Sequence, residues 1–398
     1  MRILFVSYEY PPDTGFGGIA TYTYQIAHLF SQHQIHTEVI CGSAKENAII
    51  KENDFLTIHK IQCNSLAHFN QLLPSKLSEF KNEKIDLIEA PDYGGHGVSI
   101  KKCLPQIPLV SKLHTPSYLV QKLNCHYFNK PWYRKIKNYL KPYRFANDPE
   151  YKSVIKSDFI ISPSLSLIDI VATDWQIPAH KILHVPNLYV PKKELLKIPY
   201  DTDTKKVLYL GRLETRKGVY NLSKAVAIVA RQFPDAEFIF VGGDCNGPLG
   251  QSSMKEVLLE NLGDHSSKVN FINHVPLESI HHFFGQCDVC VFPSLWENFP
   301  NVCLEAMSAA RGIVASRNGG MNDMLYDING GVLIDPHDVD MIAGAIISLL
   351  RDNKMRQQMG IRCREKIERY YSGNLLPDII NIYKRFIAKN AAAAFESA

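Results

Sequence analysis

The sequence predicts an α/β protein built as two similar halves, each a parallel sheet covered by helices. Short apolar runs of strand length alternate with segments of helical period, the order that gives parallel sheets buried on both faces. The same alternation starts again near residue 206. A chain of 398 residues also exceeds one ordinary hydrophobic core, which stops growing at about 250–300 residues.

The elements follow in order. Ile3 to Ser7 is a short buried strand. Ile19, Tyr22, Ile26, Leu29 and Phe30 recur at steps of three and four, which is one face of a helix. Thr37 to Cys41, Ile85 to Glu89, Leu109 to Leu113, Phe159 to Pro163 and Ile182 to Val185 continue the first series of strands. The second series is Val207 to Leu210, a helix from about Val219, then Glu237 to Val241, Val269 to Ile272, Val289 to Pro293 and Ile313 to Ser316. Between the two, Val190 to Lys205 has two prolines, mixed charge and no clear period. The expected division is therefore a domain over 1–190, a linker over 191–205 and a domain over 206–372. A closing helix over 373–390, with its helical segment at Leu375 to Lys389, is expected to cross back to the first domain. Ala391 to Ala398 reads as a frayed end. Two such halves on a linker enclose a cleft, the usual place for a ligand.

Composition excludes several classes. Hydrophobic residues are 45% and charged residues 21%, an ordinary globular balance. A net charge of +4, from 44 basic and 40 acidic residues, is too mild to imply nucleic acid. Nine cysteines at irregular spacing argue against a secreted disulfide framework. Cys287 and Cys290 form one C-x-x-C without a second pair, so they read as buried strand cysteines rather than zinc ligands. The N-terminal apolar run is too short for a signal peptide, and no stretch reaches the ~20 apolar residues of a membrane span. The expected location is the cytoplasm, with a peripheral position on the inner membrane face as the variant.

Four motifs fall at carboxyl ends of these strands. E-N-F-P-N-V-C-L-E, Glu297 to Glu305, follows V-C-V-F-P-S and opens a helix. Pro300 suits the first turn, and Asn301, Val302 and their neighbours offer free N–H groups to an anion. Glu297 on the loop and Glu305 in the helix, eight residues apart, can serve one ligand; the alternative is an N-terminal acid and a solvated helix glutamate. G-R-L-E-T-R-K-G, Gly211 to Gly218, follows Val207 to Leu210. Arg212 and Lys217 are natural counter-charges for a diphosphate, while Arg216 reads as an ordinary surface cation. P-P-D-T-G-F-G-G-I-A, Pro11 to Ala20, holds Gly15, Gly17 and Gly18, which let backbone approach a phosphate or sugar. It does not match G-x-G-x-x-G, so no dinucleotide cofactor is expected. K-L-H-T-P, Lys112 to Pro116, places His114 at a strand end, where a structural role is the alternative.

Taken together and in this order, the glycine loop, the histidine, G-R-x-x-x-x-K-G and the two glutamates resemble the family 4 glycosyltransferases of GT-B fold, over nearly the whole chain. The resemblance implies two Rossmann-like domains facing across a cleft, with the acceptor on the N-terminal side and a nucleotide-diphosphate sugar on the C-terminal side. It implies retention of anomeric configuration by same-face attack, without a metal ion or other cofactor. Arg212 and Lys217 would neutralise the departing diphosphate, and Glu305 would accept hydrogen bonds from ribose. Glu297 would hold the sugar and favour positive charge at its anomeric carbon. Asn298, Phe299, Pro300, Asn301 and Val302 would wrap sugar and phosphate. His114 would bond a sugar hydroxyl or the acceptor, Gly17 and Gly18 would lie against the phosphate, and His274 and Val275 would border the base. A role in bacterial surface or capsular polysaccharide synthesis is expected from the prevalence of that task in the family. A GT-B sugar phosphorylase or nucleotide-sugar epimerase, and a non-enzymatic binding module, are the alternatives.

The chain departs from the family's pattern at two places. In N-G-G-M-N-D-M, Asn318 to Met324, Asp323 is displaced from the acid that follows the glycine pair in many relatives. Val241 to Ser253 replaces their short glycine turn with a longer polar run. No D-x-D follows the strands, so no site for a bridging divalent ion is expected. On the acceptor side, I-E-A-P-D-Y-G-G-H-G offers Glu89, Asp92 and Tyr93 as contacts, with turn chemistry as the alternative. From Lys122 to Arg144 there are seven Lys/Arg and no acids, interleaved with six Tyr, Phe and Trp. That composition suits an anionic membrane surface or a lipid-linked or polymeric anionic acceptor; a solvated basic helix is the alternative. Charge reversal at Lys135 and Lys137 is expected to weaken sedimentation with anionic liposomes at low salt, or to raise KM for an anionic acceptor, with donor affinity unchanged. Each cation near such a surface is worth about 1 kcal/mol. If neither quantity moves, the stretch is a solvated face.

Overall fold

In a computed structural model, which describes residues 1–15, 17–124, 144–247, 253–273, 275–371 and 375–396, the apolar runs assemble into two sheets. The first contains β1 (Arg2–Ser7), β2 (His36–Ser43), β3 (Ala48–Asn53), β4 (Leu56–Gln62), β5 (Leu87–Pro91), β6 (Leu109–Lys112), β7 (Phe159–Ser162) and β8 (Ile182–His184), in the order β3-β4-β2-β1-β5-β6-β7-β8. The second contains β9 (Lys206–Leu210), β10 (Glu237–Val241), β11 (Val269–Ile272), β12 (Val289–Phe292), β13 (Gly312–Ser316) and β14 (Val332–Ile334), in the order β11-β10-β9-β12-β13-β14. Among the described strand pairs only β3 with β4 is antiparallel. The chain divides into two compact units. One takes in Met1–Pro116, residues 144–188 and helix Leu375–Glu396; the other takes in helix Ser117–Asn124 and the chain from Tyr189 to Tyr371.

Strand periodicity explains the layers. Ile3 and Phe5 of β1 sink into one apolar cluster and Leu4 and Val6 into another, so both faces of the first sheet are covered. In β9, Val207 and Tyr209 go one way and Leu208 and Leu210 the other. Helix Leu375–Glu396 sets Leu375, Leu376, Ile379 and Tyr383 among Ile3, Phe5 and Phe30 in the core of the first unit. It runs on through the stretch that reads as a frayed end.

Several segments differ from the sequence reading, which contains neither β3, β4 nor β14 and gives the linker no helix. β3 and its partner β4 form a hairpin at the edge of the first sheet, where β3 is exposed along almost its whole length. An edge strand packs too little to need an apolar pattern, so its sequence A-I-I-K-E-N carries no strand signal. The linker region holds a short helix, Lys193–Leu196, and buries Leu195 and Ile198 in the core of the second unit. Its end is fastened there too. The buried guanidinium of Arg356 donates to the Thr202 carbonyl at 2.6 Å, and that of Arg311 donates to the Pro199 carbonyl and to the Thr202 hydroxyl.

The strand order decides where a ligand can sit. In the first sheet the order turns back on itself between β1 and β5, and in the second between β9 and β12. At such a point neighbouring loops leave in opposite directions and open a crevice beyond the carboxyl ends of the strands. The loops that leave there are Tyr8–Gly17 and Asp92–His96 in the first unit, and Gly211–Gly218 and Pro293–Pro300 in the second.

Candidate functional site

In the second unit the two loops at the crevice touch. The Leu295 N–H donates to the Arg216 carbonyl at 2.8 Å. Gly218 lies in the left-handed region at φ 71°, and a Cβ there would fall 1.8 Å from the Pro293 carbonyl oxygen. Only glycine permits that approach, and it sets the pitch of the turn that carries Arg216 and Lys217 into the site. Gly319 plays the same part on the other side. At φ 95° its Cβ would meet the Glu297 carbonyl oxygen at 2.1 Å, and the Gly320 N–H donates to that carbonyl.

These contacts build a line of alternating charges. Lys217 Nζ lies 2.5 Å from Glu297 Oε1, and an Arg216 guanidinium nitrogen lies 2.9 Å from the same oxygen. The other end of the Arg216 fork donates to Glu214 at 2.8 Å, and Glu214 also accepts from Arg212 at 3.1 Å. The side chains of Arg216, Glu214 and Glu297 are 12%, 9% and 11% exposed, whereas that of Arg212 is 61% exposed. Burial alone would raise the Glu297 carboxyl. Lys217 and Arg216 beside it, with a hydrogen bond from Ser294, outweigh burial and hold it below the usual carboxylate range. The site therefore presents an ionised carboxylate and an accessible cation at the crevice.

Arg216 corrects the sequence reading. It is not an ordinary surface cation but a half-buried bridge between two glutamates, and Glu214 is a member of the network that the motif did not single out. In a loop every second or third side chain is free to turn inward, so spacing does not say which of three cations is withdrawn from water.

Helix Asn301–Ser308 follows this loop with Pro300 as its N-cap, one place earlier than the first helical turn. Its cap carries no side-chain hydrogen bond to the first turn. Phe299, expected to wrap the sugar, packs its ring edge-on against Tyr371 at 5.8 Å. Asn298 is buried, and Asn301 and Val302 are half-buried. Glu305 is half-buried with Oε2 withdrawn and without a hydrogen-bond partner among the described residues. Burial pushes its carboxyl up to about 7, against a smaller opposing pull from Lys192. Val275 is half-buried beside the second core cluster, and His274 lies outside the described residues. So does most of the basic aromatic stretch, from 125 to 143.

In the first unit His114 follows β6. Its backbone N–H donates to Asp92 Oδ1 at 2.9 Å. Its Nδ1 has the Lys112 carbonyl at 3.1 Å and Asp92 Oδ1 at 3.5 Å, so Nδ1 carries the proton. Nε2 is left as a buried acceptor without a partner among the described residues. Gly17 caps helix Gly18–Gln32 without a side-chain bond, and a Cβ on Gly18 would meet nothing within 4 Å. Tyr93 is half-buried. Glu89 and Asp92 depart from the expected acceptor contacts. Glu89 is 2% exposed and is bonded by the hydroxyls of Tyr383 and Tyr22. Burial raises its carboxyl, and burial brings the nearby Lys112 ammonium, which donates to the Val185 carbonyl at 2.8 Å, down to about 7. Asp92 is fully buried beneath His114. Both sit where a parallel strand covered on each face leaves its carboxyl end, and their side chains turn into the layers rather than out of them.

The profile described as "Glycosyltransferase Family 4" matches residues 16–191, and that described as "Glycosyl transferases group 1" matches residues 192–366. The chain belongs to glycosyltransferase family 4. Among curated relatives, the D-inositol 3-phosphate glycosyltransferase of Corynebacterium diphtheriae is 32% identical over 200 residues, 46% of this chain and 46% of that one. The chain thus spans about half the length of that relative. A glycosyltransferase of Methanocaldococcus jannaschii is 24% identical over 408 residues, 96% of this chain and 98% of that one. The fold is GT-B, and solved structures match it nearly end to end. One is an Anabaena protein in complex with UDP, 17% identical, with a TM-score of 0.67 over 97% of this chain and 100% of that one.

The raised Glu305 carboxyl gives this family 4 chain a pH dependence. A glutamate free in the unfolded chain titrates near about 4.3. Between that value and about 7 the folded chain holds a proton that the unfolded chain lacks, so stability falls as pH rises through the interval. Glu305→Gln removes that loss. Relative to the unaltered chain, its urea midpoint is expected to rise between about pH 5 and about pH 8. An equal difference at both pH values overturns the assignment.

Proposed function

We propose that the chain moves a sugar from a nucleotide-diphosphate donor to an acceptor hydroxyl, with retention of anomeric configuration and without a metal ion. The observation that carries this reading is the ionised Glu297 beside Arg216 and Lys217 where β9 and β12 part, with Arg212 tied to Arg216 through Glu214. Diphosphate is a poor leaving group until its developing charge is met, and preorganised cations meet it at no cost of reorganisation. Arg212 and Lys217 stand in that role. The bond from the anomeric carbon to the phosphate oxygen breaks as the acceptor oxygen joins the same face, and the departing phosphate oxygen takes the acceptor's proton. Positive charge grows on the anomeric carbon during this step, and the Glu297 carboxylate favours it. Glu305 accepts from the ribose hydroxyls, and the free Nε2 of His114 accepts from a sugar or acceptor hydroxyl.

UDP in the Anabaena protein supports a nucleoside diphosphate as the leaving group. An anionic acceptor is supported by the seven cations between Lys122 and Arg144 and by the D-inositol 3-phosphate in the name of the corynebacterial relative. A glycan of the bacterial surface, polymeric or lipid-linked and met at the inner membrane face, is the proposed acceptor class. No described helix is long and apolar enough to cross a membrane.

Arg212→Ala and Lys217→Ala are each expected to lower kcat/KM roughly 10²–10³-fold with the fold retained by circular dichroism. Near-normal turnover in both variants overturns the diphosphate assignment. Turnover is also expected to persist in EDTA. Loss on chelation that Mg²⁺ or Mn²⁺ restores points instead to a bridging ion.

A further inference from the structure

The pairing of Lys217 with Glu297 raises a conflict within this reading. Lys217 lies 2.5 Å from Glu297, so it is already spent on a carboxylate, yet the donor diphosphate needs it. A lysine that leaves for the phosphate abandons a withdrawn carboxylate, and an unpaired charge in that setting is strongly disfavoured. The carboxylate then either takes a proton, which removes the group that favours the anomeric cation, or keeps another counter-ion.

Arg216 is built to be that counter-ion. One arm of its fork lies 2.9 Å from the same Glu297 oxygen, and the other lies 2.8 Å from Glu214. Its backbone is held at both ends. Its N–H donates to Asn124 Oδ1 at 3.1 Å, and its carbonyl accepts from Leu295 at 2.8 Å. The flat guanidinium spans two carboxylates and is 12% exposed, so it has no freedom to follow a ligand. Lysine has a flexible stem and one compact charge, which suits a group that changes partners. Three cations face two carboxylates, so one positive charge is left over for an incoming anion.

We propose that Arg216, fixed by Glu214, is a positioning residue that keeps Glu297 ionised when Lys217 transfers from Glu297 to the donor diphosphate. Lys217 is thus an exchangeable latch, and Glu214 and Arg216 are its fixed frame. The proposal rests on the donor-site reading above.

The test measures binding of UDP, GDP, ADP and inorganic pyrophosphate by calorimetry to the unaltered chain and to Lys217→Met, Arg216→Met, Arg216→Lys, Glu297→Gln and the double variant Arg216→Met with Glu297→Gln. With Arg216 neutral, Lys217 is the one cation left beside Glu297 among the described residues and stays on it. The tightest-binding diphosphate is expected to weaken roughly 10- to 100-fold, the worth of a charge-assisted bond. Removing the Glu297 charge in the same chain frees Lys217, so the double variant is expected to regain the affinity of the unaltered chain while sugar transfer stays absent. Circular dichroism checks that each variant compared is folded, because neutralising Glu297 would also relieve a purely structural loss. Arg216→Lys, which keeps the charge without the fork, is expected to fall between, and it carries the test if Arg216→Met does not fold. The proposal is overturned if Arg216→Met and Arg216→Lys bind as the unaltered chain does, or if the double variant stays as weak as Arg216→Met. Those outcomes leave the donor site standing when Lys217→Met still weakens binding. If the unaltered chain binds none of the four probes, or Lys217→Met binds as well as it does, the donor-site reading falls and this inference with it.

Discussion

A carboxylate loses its hydration when it is drawn into a protein, and it stays charged only where cations replace the water. Glu297 is in that position, and much of the second unit's crevice follows from it. To reach one carboxylate, Arg216 and Lys217 must come from a loop that leaves a different strand. That loop can close only if residue 218 has no Cβ to strike Pro293. Gly319 meets the backbone of Glu297 from the other side under the same restriction. Two glycines and two cations are thus consequences of one buried negative charge placed where the strand order reverses.

The first unit meets the same constraint with different means. Glu89 and Lys112 lie on neighbouring strands, both buried, and each is relieved by neutral partners. Tyrosine hydroxyls from two helices bond the acid, and a backbone carbonyl takes the ammonium. Such pairs cost desolvation, and hydrogen bonds to the remaining polar atoms make them tolerable. Asp92, next in the chain to Pro91, accepts the backbone N–H of His114 and fixes the ring above it. Of the three residues that read in the sequence as acceptor contacts, Glu89 and Asp92 are buried and Tyr93 is half-buried.

Tertiary placement also explains why two equivalent glutamates behave oppositely. Glu297 sits on a loop among cations and is held ionised; Glu305 sits within a helix near Lys192 and is pushed toward neutrality. Both belong to one sequence motif after β12, and the closeness of Lys217 and Arg216 to Glu297 sets their charge states apart.

The sequence by itself determined the layered α/β halves, because a strand buried on both faces must be apolar at successive positions and Val207 to Leu210 or Ile3 to Val6 can be nothing else. It also determined which loops carry chemistry, since motifs that follow those strands necessarily lie at their carboxyl ends. It left β3, β4 and β14 unseen; of these, β3 is an edge strand that buries almost nothing and so needs no pattern. Only the tertiary structure decided that Arg216 and Glu214 join the network, that Glu89 and Asp92 turn inward, and that Phe299 packs against the core. Those outcomes depend on which side chains face one another across loops distant in the chain. Local periodicity carries no record of such facing, because the energy that fixes it arises between segments rather than within them.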